Sequence, residues 1–284
     1  GGGVIGVELA SAWASMGSRV TIIEALPHLV PNEDEAISKQ LERAFRKRRI
    51  VVRTGTMFES VERTAAGVSV RTTDGRAFDA EVLLIAVGRG PATANLGYEE
   101  AGVAMDRGFV LTDEYGRTSV RGVWAVGDIV PGLQLAHRGF AQGIVVAERI
   151  ADLDPRPVDD TRVPRVTFCE PEIASVGLSE AEAIETHGAE NVTTAEFNVA
   201  GNARSQILGA QGFVKLVSLK DGPVVGFHAI GARMGEQIGE GQLIVSWEAD
   251  AHDLAPLVHA HPTQNETIGE AAMVLAGKPL HNHG

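Results

Sequence analysis

Three glycines open the chain at Gly1-x-Gly3-x-x-Gly6, and a helix-length run over residues 7–16, closed by Gly17, follows them. Glycines at this spacing bring bare backbone against a phosphate. The first makes a tight turn, the second removes the Cβ that would hold a pyrophosphate off, and the third lets the next helix pack closely. That helix aims its free N–H groups at the negative charge. Glu24 ends the β-rich run over residues 19–24, close to the ~20-residue offset at which an acid bonds a ribose 2′-hydroxyl. An acid there accepts from hydroxyls and repels a 2′-phosphate, so it favours NAD over NADP. The same carboxylate also fits a solvated strand end.

Near the other end stands His259-Ala260-His261-Pro262-Thr263-Gln264-Asn265-Glu266. Pro262 suits the first turn of a helix, which brings Glu266 within reach of His261. A carboxylate beside an imidazole raises its basicity and fixes its tautomer, giving a positioned acid/base. A capping histidine with a solvated glutamate fits the same spacing. His259 adds a His-x-His pair for which no third metal ligand is evident. A third constellation begins with a short apolar strand over residues 123–126, ending in Gly127-Asp128. Gln134-Leu135-Ala136-His137 then opens a small-residue helix over residues 139–150. A carboxylate at a strand end, followed by a helix N-terminus, suits a second cofactor with a hydroxylated chain and a negative charge. A plain strand-to-helix turn with Asp128 as a solvated cap is the other reading.

The elements that must position these residues can be read in outline. An acidic start and a basic finish mark a helix over residues 33–49, and the Lys47-Arg48-Arg49 cluster reads as a helix-end effect. Residues 50–53 form a strand. Residues 68–72 and 77–80 flank Asp74-Gly75, a hairpin turn signal. Residues 81–89 read as a fully buried strand ending on Gly88. No strand precedes Gly1, so the nucleotide-binding unit is expected to be truncated at its first strand. Residues 152–160, rich in Pro and Asp, read as a linker. From residue 163 the pattern changes: strands near 165–169, 192–200, 211–219 and 223–230, with helices near 179–187 and 235–249, predict an α+β domain with an antiparallel sheet. Asp221-Gly222 is another hairpin turn, and His228 reads as a packed strand histidine. The expected fold class is therefore α/β: a Rossmann-type NAD domain over residues 1–88, a central segment over 89–158, and an α+β interface domain over 159–284.

Composition narrows the function. A net charge of −12 over 284 residues argues against nucleic acid, which selects a basic face. No apolar run is long enough for a membrane span. The single cysteine, Cys169, excludes an internal disulfide and a multi-cysteine metal site, and fits a reducing, cytoplasmic setting. The ending His281-Asn282-His283-Gly284 reads as a frayed polar tail rather than a metal site.

Taken in this order, the three constellations resemble the flavoprotein disulfide reductases, and among them most closely the dihydrolipoyl dehydrogenases. The resemblance rests on Gly1-Gly2-Gly3-Val4-Ile5-Gly6-Val7-Glu8, Val87-Gly88-Arg89, Ala125-Val126-Gly127-Asp128, Leu135-Ala136-His137 and His259-Ala260-His261-Pro262-Thr263 with Glu266. It implies that Gly1, Gly2, Gly3, Val4, Ile5, Gly6, Val7 and Glu8 cradle NAD, with Glu8 near the nicotinamide, Glu24 on the adenosine ribose, and Phe58 and Gly88 lining the site through their backbones. It implies FAD held by Asp128 at the ribitol and by Gln134, Leu135, Ala136 and His137 through backbone groups. It makes His261, oriented by Glu266, the base that deprotonates a dihydrolipoyl thiol across a homodimer interface. The partners implied are lipoyl domains of 2-oxo acid dehydrogenase or glycine cleavage complexes. No resident metal is implied.

The sequence departs from that scheme in having no cysteine pair. Cys169 reads as a structural thiol, and the redox pair is expected upstream of residue 1, with the FAD domain, so that the isolated chain would be inactive. Within the same group, mercuric, glutathione and mycothiol-disulfide reductases and quinone reductases are the alternatives. The C-terminus carries no cysteine pair of the mercuric type, and Ala25-Leu26 after Glu24 departs from the basic residues of NADP-preferring enzymes. A non-catalytic nucleotide-binding or dimerisation module is the alternative of a different class.

Overall fold

The computed structural model describes residues 1–281; Asn282, His283 and Gly284 of the expected polar tail lie outside them. The chain divides into two compact units, one formed by Gly1–Gly88 with Pro164–Gly284 and the other by Arg89–Val163.

The first unit begins with helix α1 (Val4–Ser15), whose C-terminus passes through Met16 into Gly17 at φ +94°. Strand β1 (Thr21–Ile23) follows, then α2 (Glu35–Lys47), then β2 (Val51–Arg53), which pairs in parallel with β1. The α2 helix is amphipathic. Ile37, Leu41 and Phe45, spaced four residues apart, are fully buried, and Asp34 caps it by accepting from Ala36 N–H at 3.0 Å. A three-stranded antiparallel sheet comes next, β3 (Phe58–Thr64), β4 (Gly67–Thr72) and β5 (Ala77–Ala80). Its β4–β5 hairpin turns at Gly75, φ +82°. The sequence pattern does not mark β3, because its Phe-Glu-Ser-Val-Glu-Arg-Thr run carries charges on both faces and is almost wholly exposed.

Residues 81–88 correct an expectation. They form no strand, and Val82, Leu84, Ile85 and Val87 are exposed, Val87 to 81%. An apolar run becomes a buried strand only when neighbours supply both ladder partners and covering side chains. Here, among the described residues, β1 pairs only with β2.

The second unit holds a small hairpin, β6 (Met105–Asp106) with β7 (Phe109–Val110), and helix α3 (Ala136–Ile150). Its core is Val103, Val110, Ala125 and Val130. The strand expected over residues 123–126 is reduced to a single bridge, Arg117 to Trp124, and Gly127–Ile129 is a 3-10 turn. The Pro- and Asp-rich stretch is not a free linker at its end: Asp160 accepts from the buried Arg138 Nε at 2.6 Å, while Arg138 Nη2 donates to the Pro131 carbonyl at 2.8 Å.

The first unit resumes with a five-stranded antiparallel sheet in the order β10-β11-β12-β9-β8. Its strands are β8 (Arg165–Thr167), β9 (Glu172–Gly177), β10 (Val192–Asn198), β11 (Phe213–Leu219) and β12 (Val224–Gly231); β9 is an addition to the strands expected from sequence. The helices are α4 (Glu180–His187), α5 (Ala203–Ile207), α6 (Met234–Ser246), α7 (Ala251–Leu254) and α8 (Glu266–Leu275). Strand alternation divides the sheet into two faces. Ala174, Val176, Val214, Leu216, Phe227 and Ala229 share a core with Met234 and Ile238 of α6 and Ile268, Ala271 and Ala272 of α8. Ile173, Phe213 and Ile230 join a different core, with Val7, Ile37, Leu41 and Phe45. The sheet is thus covered on its second face by residues of α1, β1 and α2.

That second face also carries polar residues, and they are paired. Lys215 Nζ donates to Asp34 at 2.8 and 3.0 Å and to Glu180 Oε2 at 2.7 Å. Asp34 also accepts from Glu180 N–H, the first residue of α4, at 3.1 Å. Burial pushes the Asp34 carboxyl up, but these donors outweigh it and hold it below its ordinary value. His228, in register with Lys215 and Ser175, is fully buried with Nε2 bonded to the Leu178 carbonyl at 2.9 Å, a packed histidine as expected. Arg48, which reads in sequence as a helix-end charge, is a clasp. It donates to Ser11 Oγ, Ser15 Oγ and the Ser11 and Glu170 carbonyls.

A candidate nucleotide turn and a histidine–glutamate dyad

Gly1, Gly2, Gly3, Val4, Ile5, Gly6, Val7 and Glu8 form the entry turn and first turns of α1. A Cβ on Gly1 would overlap the Ala86 carbonyl, and one on Gly6 would overlap the Gly1 carbonyl. A Cβ on Gly3 would meet nothing within 4 Å. Gly2, Gly3 and Gly6 do not adopt positive φ, so the turn needs glycine for space rather than for backbone conformation. The α1 N-terminus has no side-chain cap and no acidic residue in its first turn. Its N–H groups are left to an external anion, and the open side of Gly3 lets one approach. These features fit a dinucleotide pyrophosphate.

Glu24 lies beside this turn. Its Oε2 accepts from Gly2 N–H and its Oε1 from Leu26 N–H at 2.7 Å. A carboxylate has about four acceptor sites, so capacity remains for a ribose diol. Gly88, exposed at φ +128°, follows two residues after Ala86. Phe58 opens β3 as an exposed side chain opposite Thr72. Glu8 Oε1 accepts from Phe168 N–H at 2.8 Å, which ties α1 to the antiparallel-sheet layer.

In the second unit, Asp128 is exposed on the 3-10 turn, and Gln134 Nε2 donates to its carbonyl at 3.3 Å. Leu135 is the N-cap of α3 without a side-chain bond; Ala136 and His137 begin the helix, whose first turn holds no acid. Gly139 packs so closely on Gly127 that a Cβ would lie 3.3 Å from the Gly127 Cα. An uncapped helix start beside an exposed carboxylate fits a second phosphate-bearing group with hydroxyls, as a flavin nucleotide has.

The dyad is assembled at the α8 N-terminus. His261 Nδ1 meets Glu266 Oε1 at 2.7 Å, and Glu266 Oε2 accepts from Thr263 N–H at 2.7 Å. Pro262 does not lie in the helix, contrary to expectation. The helix starts at Glu266, and Pro262 sits in the preceding turn after a cis peptide bond. Burial pushes Glu266 up, yet the Thr263 N–H and His261 bonds prevail and hold it low. With Nδ1 engaged, a neutral imidazole exposes Nε2 as acceptor, and the His261 side chain is 71% exposed.

Sequence reasoning missed what holds this loop. His259 does not share a ligand with His261. Its Nε2 bonds Glu240 Oε1 at 2.8 Å, and Asn265 Nδ2 donates to Glu240 Oε2 at 2.7 Å. Gln264, buried, donates to the Ala232 carbonyl at 2.8 Å and accepts from Ser205 Oγ at 2.6 Å, while Asn202 Nδ2 donates to the Thr263 carbonyl at 3.0 Å. The available signal was faint: Glu240 is one of two acids in α6, with Glu236. Cys169 is buried, its Sγ donates to the Pro171 carbonyl at 3.1 Å, and burial pushes the thiol up to about 12. It is not a thiolate near neutrality.

Comparison with known proteins agrees with these features. Residues 1–143 match the family model described as pyridine nucleotide-disulphide oxidoreductase, and residues 163–272 match the dimerisation domain of the same family. The chain is 39% identical over 279 residues to a dihydrolipoyl dehydrogenase of Chlorobaculum tepidum, covering 96% of this chain and 59% of that protein. It is 38% identical over 288 residues to a dihydrolipoyl dehydrogenase of Bacillus subtilis, covering 99% and 61%. Among solved structures, LpdA of Mycobacterium tuberculosis superposes with a TM-score of 0.88 at 30% identity, covering 96% of this chain and 60% of that one. The HOCl-induced flavoprotein disulfide reductase RclA of Escherichia coli gives 0.89 at 28%, covering 97% and 63%. The chain therefore spans about three fifths of the length of the relatives it matches. With family models matched over residues 1–143 and 163–272, the chain belongs to the pyridine nucleotide-disulphide oxidoreductase family.

Proposed function

We propose that this chain is the NAD-binding, central and interface portion, over residues 1–88, 89–158 and 159–284, of a dihydrolipoyl dehydrogenase. The whole enzyme would oxidise protein-bound dihydrolipoamide to lipoamide and pass the electrons through a redox disulfide and FAD to NAD⁺. The observation that carries the reading is the His261–Glu266 pair, bonded through Nδ1 at 2.7 Å on an imidazole that is largely exposed.

His261 Nε2 accepts the proton of a dihydrolipoyl thiol, because the thiolate and not the thiol attacks a disulfide. Glu266 fixes the tautomer and balances the imidazolium that forms. Gly1 to Gly6 and the start of α1 would hold the NAD pyrophosphate, with Glu24 on its adenosine ribose and Glu8 near the nicotinamide; Phe58 and Gly88 would line the site through their backbones. Asp128 and residues 134–137 would hold the flavin nucleotide. When bound, FAD and NAD supply the two-electron relay. Cys169, buried and protonated, takes no part, so the reading assigns the redox pair to protein outside these residues.

Two further proposals concern partners. Leu243, Trp247, Leu257 and Val258 are exposed apolar side chains in the matched dimerisation domain, Val258 to 97%, which supports a homodimer whose faces cover them. The substrate arm would come from lipoyl domains of 2-oxo acid dehydrogenase or glycine cleavage complexes. Among the described residues no helix is long and apolar enough to cross a membrane; cytoplasmic residence is part of the proposal.

The test is His261→Gln in the holoenzyme that contains this chain. Dihydrolipoamide oxidation falls by about 10²–10⁴-fold, the usual worth of a general base, while NADH–dye reduction persists. Equal losses in the two assays would remove the base assignment.

A further inference from the structure

We propose that Glu240 is a positioning residue for His261, holding the segment that carries it from both sides. This rests on the reading of His261 as the base. Glu240 lies in the second turn of α6, and each of its carboxylate oxygens has its own donor. Oε1 takes His259, two residues before His261; Oε2 takes Asn265, the residue before Glu266. One side chain therefore straddles the whole stretch from His261 to Gln264. The site is shaped for this arrangement: a Cβ on Gly269 of α8 would overlap the His259 ring. His259 is not a second base, since its Nε2 faces the carboxylate and its side chain is only 14% exposed. Gln264 anchors the same loop independently, through Ser205 and the Ala232 carbonyl.

Removing one carboxylate oxygen separates the two tethers. Glu240→Gln keeps the volume but removes the charge and replaces one acceptor by an amide donor, so His259 and Asn265 can no longer both donate to their own carboxylate oxygen, and at least one tether is weakened. Two measurements follow. In ¹⁵N spectra of the full chain, neutral His261 is expected to be held as the Nδ1–H tautomer, and Glu240→Gln shifts it toward a mixture of tautomers although Glu266 is untouched. In the holoenzyme, Glu240→Gln lowers kcat for dihydrolipoamide about tenfold, the cost of a base held off its line of attack, with a smaller change in KM and with NADH–dye reduction as the comparator. Glu240→Asp, which retains both oxygens, recovers part of the loss.

Unchanged His261 nitrogen shifts together with an unchanged kcat would overturn the proposal. So would equal losses in both assays with a lowered thermal midpoint, which would make Glu240 structural only. A variant that does not fold is replaced by Asn265→Ala, which cuts a single tether; a smaller loss of the same kind supports the proposal and no loss overturns it. Failure of the base reading is distinguishable, because it would leave His261→Gln active while the tautomer shift in Glu240→Gln remained.

Discussion

At the glycine turn the groups on offer to a ligand are backbone N–H donors, and side chains matter by being absent. At the loop from His259 to Glu266 the backbone is a carrier, and the bonds that fix it pass through carboxylates, amides and hydroxyls. The turn takes its shape from volume: Gly1 and Gly6 sit where a single methyl would strike a carbonyl. The loop takes its shape from charge and donor count: Glu266 and Glu240 each accept two bonds. The first site should therefore respond chiefly to size, and the second chiefly to charge and donor count.

The largest expected effect is at the turn. Gly6→Ala forces the methyl into backbone and destabilises the first unit by about 1–3 kcal/mol, the usual cost of overpacking. Gly3→Ala, with open space around the new methyl, stays within about 0.5 kcal/mol of the parent yet loses NADH in a fluorescence titration. Matching melting curves for the two variants would mean that the turn is not built on close packing. Next is Gln264→Ala, which strips partners from Ser205 and the Ala232 carbonyl and costs about 2 kcal/mol in chemical denaturation; a change confined to activity would show that the loop is held elsewhere.

Glu24→Ala sharpens the comparison, since it removes a carboxylate from the site built on backbone. It weakens NADH about tenfold, or 1.4 kcal/mol, and relaxes the preference over NADPH; unchanged affinity would leave Glu24 as a strap on the Gly2 N–H alone. The smallest effect is the pH dependence of the His259–Glu240 pair. The Glu240 bond, outweighing burial, raises His259 above its ordinary 6.5. A raised histidine stabilises fully below that ordinary value and loses the contribution as pH rises through its folded value. Burial pushes Glu240 up, but His259 and Asn265 hold it below its ordinary 4.5, so its contribution is lost as pH falls. The gap in thermal midpoint between parent and Glu240→Gln should be greatest between these values and narrow by about 1 °C toward pH 8. A gap flat with pH would mean that His259 is held as a neutral ring.

What could be read in the sequence was whatever is local. The glycine spacing, the charge order of α2, the Asp74-Gly75 hairpin and the five-residue step from His261 to Glu266 each close over a turn or two of chain. Residues 81–88 misled because an apolar run has the same composition whether or not strands lie on either side of it. Residues 123–126 misled for the same reason, leaving only the Trp124 bridge. The Glu240 carboxylate lies 19 residues from His259, and no periodicity links α6 to that loop. The Lys215–Asp34 pair spans a separation of 181 residues, and nothing near Lys215 distinguishes it from a solvated strand lysine.

That pair has a consequence for how the first unit opens. Asp34 caps α2, receives the first amide of α4 and neutralises Lys215 in the middle of the sheet. Two helices from segments far apart in sequence therefore begin on one buried carboxylate. Fraying at either start pulls on this shared carboxylate and weakens the neutralisation of a buried ammonium group, so the two should open together. In native-state hydrogen exchange, the amides of Ala36 and Glu180 should share one opening free energy and fall together in Asp34→Asn. The layer that carries the glycine turn and the layer that carries the histidine dyad would then exchange as one cooperative unit.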